Sequence, residues 1–239
     1  MIPGLYSAAT ALGAAAQNQE VIANNLANVT VPGYRRQGLS FEPFDNALTR
    51  ASGVPLLGTQ LAQAYNEFTP GPIQQTGNRL DLAIQGDGFF VINGPTGPVY
   101  TRSGVFTMDA TGQLQTMSGY PVAGEAGPIT IPNGARDITI TGDGRVMVDH
   151  SEVGRLQLAQ FANPNQLVPV GPTLFQAPAG VAPSGSHVTV AQGYREGSNV
   201  QVASEMVRMI AGLRHYEASQ RALRAMSDAL HQQTGPQSS

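Results

Sequence analysis

At 239 residues the chain has room for one large domain or two modest ones, and only 12% of its residues are charged, with a net charge of −3. It has no Cys, and all 13 basic residues are Arg, so disulfides, thiolate metal sites, a Walker A phosphate loop, a Schiff-base lysine and a Ser–Lys dyad are excluded. No basic stripe marks a nucleic-acid surface, and His150, His187, His215 and His231 fall in no metal-ligand spacing, so no catalytic, cofactor or metal site is expected.

Leu5, Ala8, Leu12, Ala15, Gln19, Ile22, Leu26 and Val29 step by alternating threes and fours, the seam spacing of a coiled coil. A helix is therefore expected up to about Val29, where Pro32-Gly33 stops it. Between Ile2 and Gly33 the only charged side chain is Glu20. A surface helix normally keeps a charged face toward water, so this one is expected to be packed on several sides. It is too polar to span a membrane, and no Lys or Arg precedes its apolar part as in a secretory signal.

Residues 31–76 read as an extended connecting segment, punctuated by Pro43, Gly53-Val54-Pro55 and Thr69-Pro70-Gly71-Pro72. A connection of this length is usually functional or packed against something else. From Leu80 the pattern becomes short strands with frequent turns, which indicates a mainly antiparallel β-domain over 77–197. Leu80–Ile84 and Phe89–Ile92 flank Gly86-Asp87-Gly88 as one hairpin candidate, and Ile138–Thr141 and Arg145–Val148 flank Gly142-Asp143-Gly144 as another. Neither triplet carries the alternating ligands and closing Glu of an EF-hand calcium loop, so both read as tight turns. Val153–Phe161 alternates apolar and polar with one phase shift.

A second helix is expected after Gly197, capped by Ser198 or Asn199, with Gln201 at capping-box spacing from Ser198. Val202, Met206, Met209, Leu213, Tyr216, Gln220, Leu223, Ser227 and Leu230 form its seam. Glu205/Arg208, Glu217/Arg221 and Arg224/Asp228 supply a charged face. Gln19 and Gln220 interrupt the two seams near their middles, either as solvent-facing amides or as a buried polar pair that fixes register.

The fold class is thus α+β, with N- and C-terminal coiled-coil-type helices (1–30 plus 199–235) flanking the β-domain. The expected subunit-packing residues are Leu5, Leu12, Gln19, Ile22, Leu26, Val202, Met206, Met209, Leu213, Tyr216, Gln220, Leu223 and Leu230. On pattern alone this suits a subunit built to associate. It also suits a secreted β-sandwich binding module oligomerised by its terminal helices.

Longer motifs narrow the choice. Val21-Ile22-Ala23-Asn24-Asn25-Leu26-Ala27-Asn28-Val29, followed by Pro32-Gly33-Tyr34-Arg35-Arg36, resembles the N-terminal signature of bacterial flagellar rod and hook proteins. Asp81-Leu82-Ala83-Ile84-Gln85-Gly86-Asp87-Gly88-Phe89-Phe90 and Tyr100-Thr101-Arg102-Ser103-Gly104-Val105-Phe106 are similar to that family's central signature. Glu196-Gly197-Ser198-Asn199-Val200, with Met206, Met209-Ile210, Arg214 and Tyr216-Glu217, resembles its C-terminal motif. The motifs occur in family order over nearly the whole chain. Length and a single β-domain favour a rod protein over the hook protein, and Glu196–Val200 with Gly124–Ile129 looks most like the proximal rod subunit, next the distal rod protein.

The resemblance implies a non-enzymatic building block of the basal-body rod that crosses the periplasm, without cofactors. Its terminal helices would pack in the innermost tube and its β-domain outside. Its implied partners are copies of itself, neighbouring rod proteins and the flagellar type III export apparatus, with no nucleic acid and no direct membrane insertion. Export by that apparatus would account for the absent signal peptide.

Overall fold

The computed structural model describes residues 2–40, 42, 43, 59, 60, 64–132, 134–184 and 188–234, and the chain divides into two compact units. The first comprises Met1–Ala27, Gln37–Asn66 and Gln201–Ser239; the second comprises Asn28–Arg36 and Glu67–Val200.

In the first unit, helix α1 (Ile2–Ala27) packs along helix α2 (Val202–Thr234) of the same chain. Ala14, Ile22 and Asn25 are buried on α1, and Glu205 and Gly212 on α2. Gly212 permits close approach, because a Cβ there would stand 2.7 Å from Gln19 Oε1. Within the same unit β1 (Gln37–Leu39) pairs with β4 (Ala64–Asn66), and β2 (Glu42–Pro43) with β3 (Thr59–Gln60), all antiparallel. The expected extended segment therefore contains strand pairs. Pro43 lies within β2, paired with Thr59, Thr69-Pro70-Gly71-Pro72 separates β4 from the strand that begins at Ile73, and Gly53-Val54-Pro55 lies outside the described residues.

The second unit is built of short antiparallel strands: β5 (Ile73–Gln75), β6 (Leu82–Gln85), β7 (Phe89–Gly94), β8 (Gly97–Thr101), β9 (Phe106–Met108), β10 (Leu114–Thr116), β11 (Ala123–Gly124) and β12 (Gly127–Pro128). They are followed by β13 (Ile138–Ile140), β14 (Arg145–Val148), β15 (Ser151–Arg155), β16 (Leu158–Ala159), β17 (Val168–Pro169), β18 (Leu174–Gln176), β19 (Thr189–Gln192) and β20 (Tyr194–Glu196). The largest sheet has the order β16-β7-β8-β18-β17.

Strand β7 explains the continuous apolar run Phe89–Ile92. Successive side chains point to opposite faces. Phe90 and Ile92 enter one core with Leu82, Phe106, Leu114 and Leu156, while Phe89 and Val91 enter a second with Tyr100, Phe161, Leu167 and Phe175. A strand covered on both faces has no polar alternation to show.

The hairpin expected across Gly86-Asp87-Gly88 does not form: β6 pairs with β19, and β7 pairs with β8 and β16. Leu82, Ala83 and Ile84 are all buried, and the turn at Gly86 (φ +104) carries the chain from one sheet into another. Gly88 has no positive φ; it is constrained by space, since a Cβ there would lie 2.8 Å from Val188 Cγ1. The hairpin across Gly142-Asp143-Gly144 does form, with Ile138↔Val148 and Ile140↔Val146 in register and Gly144 at φ +83. The phase shift inside Val153–Phe161 falls where β15 ends and β16 begins in a different sheet.

Candidate functional site

Three sequence-distant motifs of the second unit meet around one carboxylate. Glu196 closes β20 and is 1% exposed. Arg35 Nη2 donates to its Oε1 at 2.6 Å, and the Gly71 amide donates to the same oxygen at 2.8 Å. Arg102 Nε lies 3.4 Å from Oε2, close enough for Coulomb attraction but not aligned as a hydrogen bond. The Gly33 amide donates to the Glu196 carbonyl at 2.9 Å. Gly33 has φ +73, and a Cβ there would fall on the backbone of Arg102 and Ser103, so only glycine fits.

A second knot flanks the first. Asn199 Oδ1 accepts from the Arg36 amide at 2.7 Å, and its Nδ2 donates to the Glu67 carbonyl at 2.7 Å and the Thr69 carbonyl at 3.1 Å. The Gly197 amide donates to the Pro72 carbonyl at 2.8 Å. The stretch that follows α1 in sequence, the connecting segment, the β-structure and the stretch that precedes α2 are thereby tied together inside one unit.

The electrostatics are lopsided. Arg35 and Arg102 are 1% and 3% exposed and share one carboxylate. Arg35 Nε and Nη1 and Arg102 Nη1 have no hydrogen-bond partner. Burial holds the Arg102 pKa below its ordinary value; Glu196 and, more weakly, Asp87 pull it back up, and Arg35 pushes it down. Such a cluster can clamp chain segments and attract an anion. It contains no nucleophile paired with a base.

In the first unit the helix pair has its own polar contact. Asn25 Nδ2 donates to the Gln37 carbonyl at 2.8 Å and lies 3.5 Å from Glu205 Oε2, while Asn25 Oδ1 accepts from the Gln37 amide at 2.8 Å. Glu205 Oε1 also accepts from Arg208 Nη1 at 2.8 Å.

Residues 5–35 match a family model described as flagella basal body rod protein, residues 83–148 the flagellar hook protein FlgE/F/G D1 domain, and residues 191–232 the flagellar basal body rod FlgEFG protein C-terminal. The chain is 38% identical to flagellar basal-body rod protein FlgG of Agrobacterium fabrum, over 92% of this chain and 93% of that one. The chain belongs to the flagellar basal-body rod proteins. It is also 35% identical to rod protein FlgF of Salmonella typhimurium, over 92% and 93% of the two chains, and 31% identical to FlgG of Bacillus subtilis, over 97% and 98%. As a rod protein it is a structural subunit of the flagellum and part of the basal body.

The rod protein's expected packing residues divide into two sets. Ile22 is buried, and Leu12, Gln19, Leu26, Met209, Tyr216, Gln220 and Leu223 are half-buried. Val202, Met206 and Leu213 are exposed at 41%, 50% and 47%, beside Val207 at 67% and Ile210 at 54%. The side chains of Leu5 and Leu230 lie outside the described ones. Over its first turns, α2 presents Glu205 and Gly212 to α1. Helical spacing assigns Glu205, with Arg208, to the water-facing charged face. Its contact with Arg208 is present, but Glu205 itself is buried, because the contact with α1 uses a carboxylate, an amide and a glycine instead of the apolar side chains by which a seam is scored. Arg35, Arg102 and Glu196 enter the sequence reading only as parts of the family motifs. Opposite charges in three short, glycine-containing motifs were the available signal.

Proposed function

We propose that this rod subunit polymerises through its terminal helices, by coiled-coil-type packing, into the axial shaft that crosses the periplasm. In this reading residues 1–30 and 199–235 form the axial core, 31–76 connects, and 77–197 lies outside. The partners are copies of itself and neighbouring rod proteins, reached after passage through the flagellar type III export apparatus. The observation that carries the reading is the apolar face of α2. Val202, Met206, Val207, Ile210 and Leu213 stay 41–67% exposed although α2 already packs against α1. A water-facing surface of that kind marks an interaction site, and membership of a rod family supplies the partner.

The test is the double variant Val207→Asp/Ile210→Asp. It should leave the unfolding midpoint of purified monomer unchanged, since both side chains are exposed, and it should abolish polymerisation and motility. Normal rods from that variant would refute the reading.

A further inference from the structure

Helix α1 buries Ala14, Ile22 and Asn25 and turns a different face to water. At 3.6 residues per turn, Ala9, Gly13, Ala16, Glu20, Ala23 and Ala27 share that outer side, and all of them are exposed. All but Glu20 are Ala or Gly, and Glu20 is the helix's only charge. No heavy atom lies within 4 Å of where a Gly13 Cβ would stand, so nothing inside the chain requires glycine there. Glycine is disfavoured against alanine in a helix interior, and its use is to let another backbone come close.

Helix α2 carries a complementary surface. On the side turned away from the buried Glu205 and Gly212, a groove of about 450 Å³ is lined by Val207, Ile210, Ala211, Arg214, His215 and Ala218. Arg214 lies midway along it. Among the described residues it forms no ion pair, including with Glu217 one turn along α2, and Glu20 of α1 forms none either. The two charges sit on opposite outer sides of the helix pair, so one copy cannot bring them together.

We propose that the groove on α2 receives the outer face of α1 from a second copy of the chain, with Glu20 against Arg214. This pairing rests on the polymerisation argued above and names a contact that would drive it. Charge complementarity selects the occupant: the outer face of α1 offers one carboxylate among small residues, and the groove offers one unpaired guanidinium among apolar side chains. Within one chain the helices run antiparallel, since Gln19 meets Gly212 and Asn25 reaches Glu205. Copies related by a screw along the shaft keep that sense, which sets Ala23 opposite Ala211 and Ala16 opposite Ala218 on either side of the ion pair. Because the contact joins two different faces it is heterologous, and such contacts propagate into rings or open filaments instead of closing as dimers.

Glu20→Arg and Arg214→Glu, both at exposed positions, should keep the wild-type melting temperature. Each should weaken self-association of the full chain in sedimentation about tenfold. The double reversal should recover to within about threefold of wild type. Unchanged self-association in both single variants, or a double variant as weak as the single ones, overturns the pairing. Single variants that stop motility with self-association unchanged assign the groove to a different rod protein and overturn the second copy as its occupant. Disulfide trapping gives a geometric readout, because the chain has no Cys. In isolated basal bodies Ala16→Cys/Ala218→Cys should oxidise to a ladder of dimers, trimers and higher species; dimers alone, or no crosslink, overturn the pairing. Val207→Asp/Ile210→Asp separates the two readings. Loss of polymerisation there, beside harmless charge reversals, removes this pairing and leaves helix-driven polymerisation standing, whereas normal rods there remove both.

Discussion

Glu196 stands between two guanidinium groups with one carboxylate to share, and its removal is the sharpest residue-level test. Glu196→Gln keeps the shape but removes the buried carboxylate that Arg35 and Arg102 share. Breaking one side of a buried ion pair costs about 3–5 kcal/mol. Denaturant unfolding followed through the β-unit should show a loss of that size, and a loss below about 1 kcal/mol would mean that water reaches the cluster. The half-buried Asp109 makes a milder prediction. The Thr111 hydroxyl, with the amides of Gln113, Thr111 and Gly112, holds its pKa below the ordinary 3.8. Because the folded value is the lower one, its contribution is present above pH 3.8 and is lost as pH falls through the folded value. NMR titration should put its midpoint below 3.8, and Thr111→Val should move it back up. At this scale the sequence was only partly legible. Arg35, Arg102 and Glu196 lie far apart in the chain, and nothing local says that their charges meet.

Elements tell a different story, because strand and helix periods are written locally while pairing partners are not. The two terminal helices and the β-rich middle follow directly from apolar spacing and turn residues. Pairing across Gly142-Asp143-Gly144 was legible because β13 and β14 keep their alternation up to the turn. Pairing across Gly86-Asp87-Gly88 was not. Leu82, Ala83, Ile84 and Phe89–Ile92 are apolar on both faces, which erases the cue that would assign a partner. Gly104 shows how tightly these strands cross: its carbonyl accepts from the Leu82 amide at 2.9 Å, and a Cβ there would fall on the Leu82 carbonyl oxygen. Gly104→Ala should therefore destabilise the β-unit by about 1–3 kcal/mol, as overpacking against backbone does. Gly180→Ala, a positive-φ site with open space around it, should lose less in the same denaturant series.

For the whole molecule the open question is where the helical unit gets its order. Its firm end is local: Ile22 and Asn25 are buried, and Asn25 is bonded to Gln37 and reaches Glu205. Farther toward the N-terminus α1 offers less, with Glu20 as its only charge and many small side chains. Gln19 Oε1 and Gln17 Oε1 are buried there without hydrogen-bond partners, although each such acceptor costs about 1–3 kcal/mol. A helix that pays this locally and gains little from propensity should open easily in the monomer. Hydrogen exchange on dilute, verified monomer should accordingly show a gradient, with Ile22–Leu26 protected and Ala9–Ala16 exchanging within minutes. In assembled rods, where neighbouring helices can cover the apolar faces and supply donors to Gln17 and Gln19, Ala9–Ala16 should slow by at least a hundredfold. Gln19→Leu together with Gln220→Leu removes two amides from the seams, so it should slow exchange in the monomer as well, while loosening register and lowering motility. Uniform slow exchange along α1 in wild-type monomer would show that the helix pair is complete by itself. The exposed row on α2 would then be the sole remaining driver of assembly.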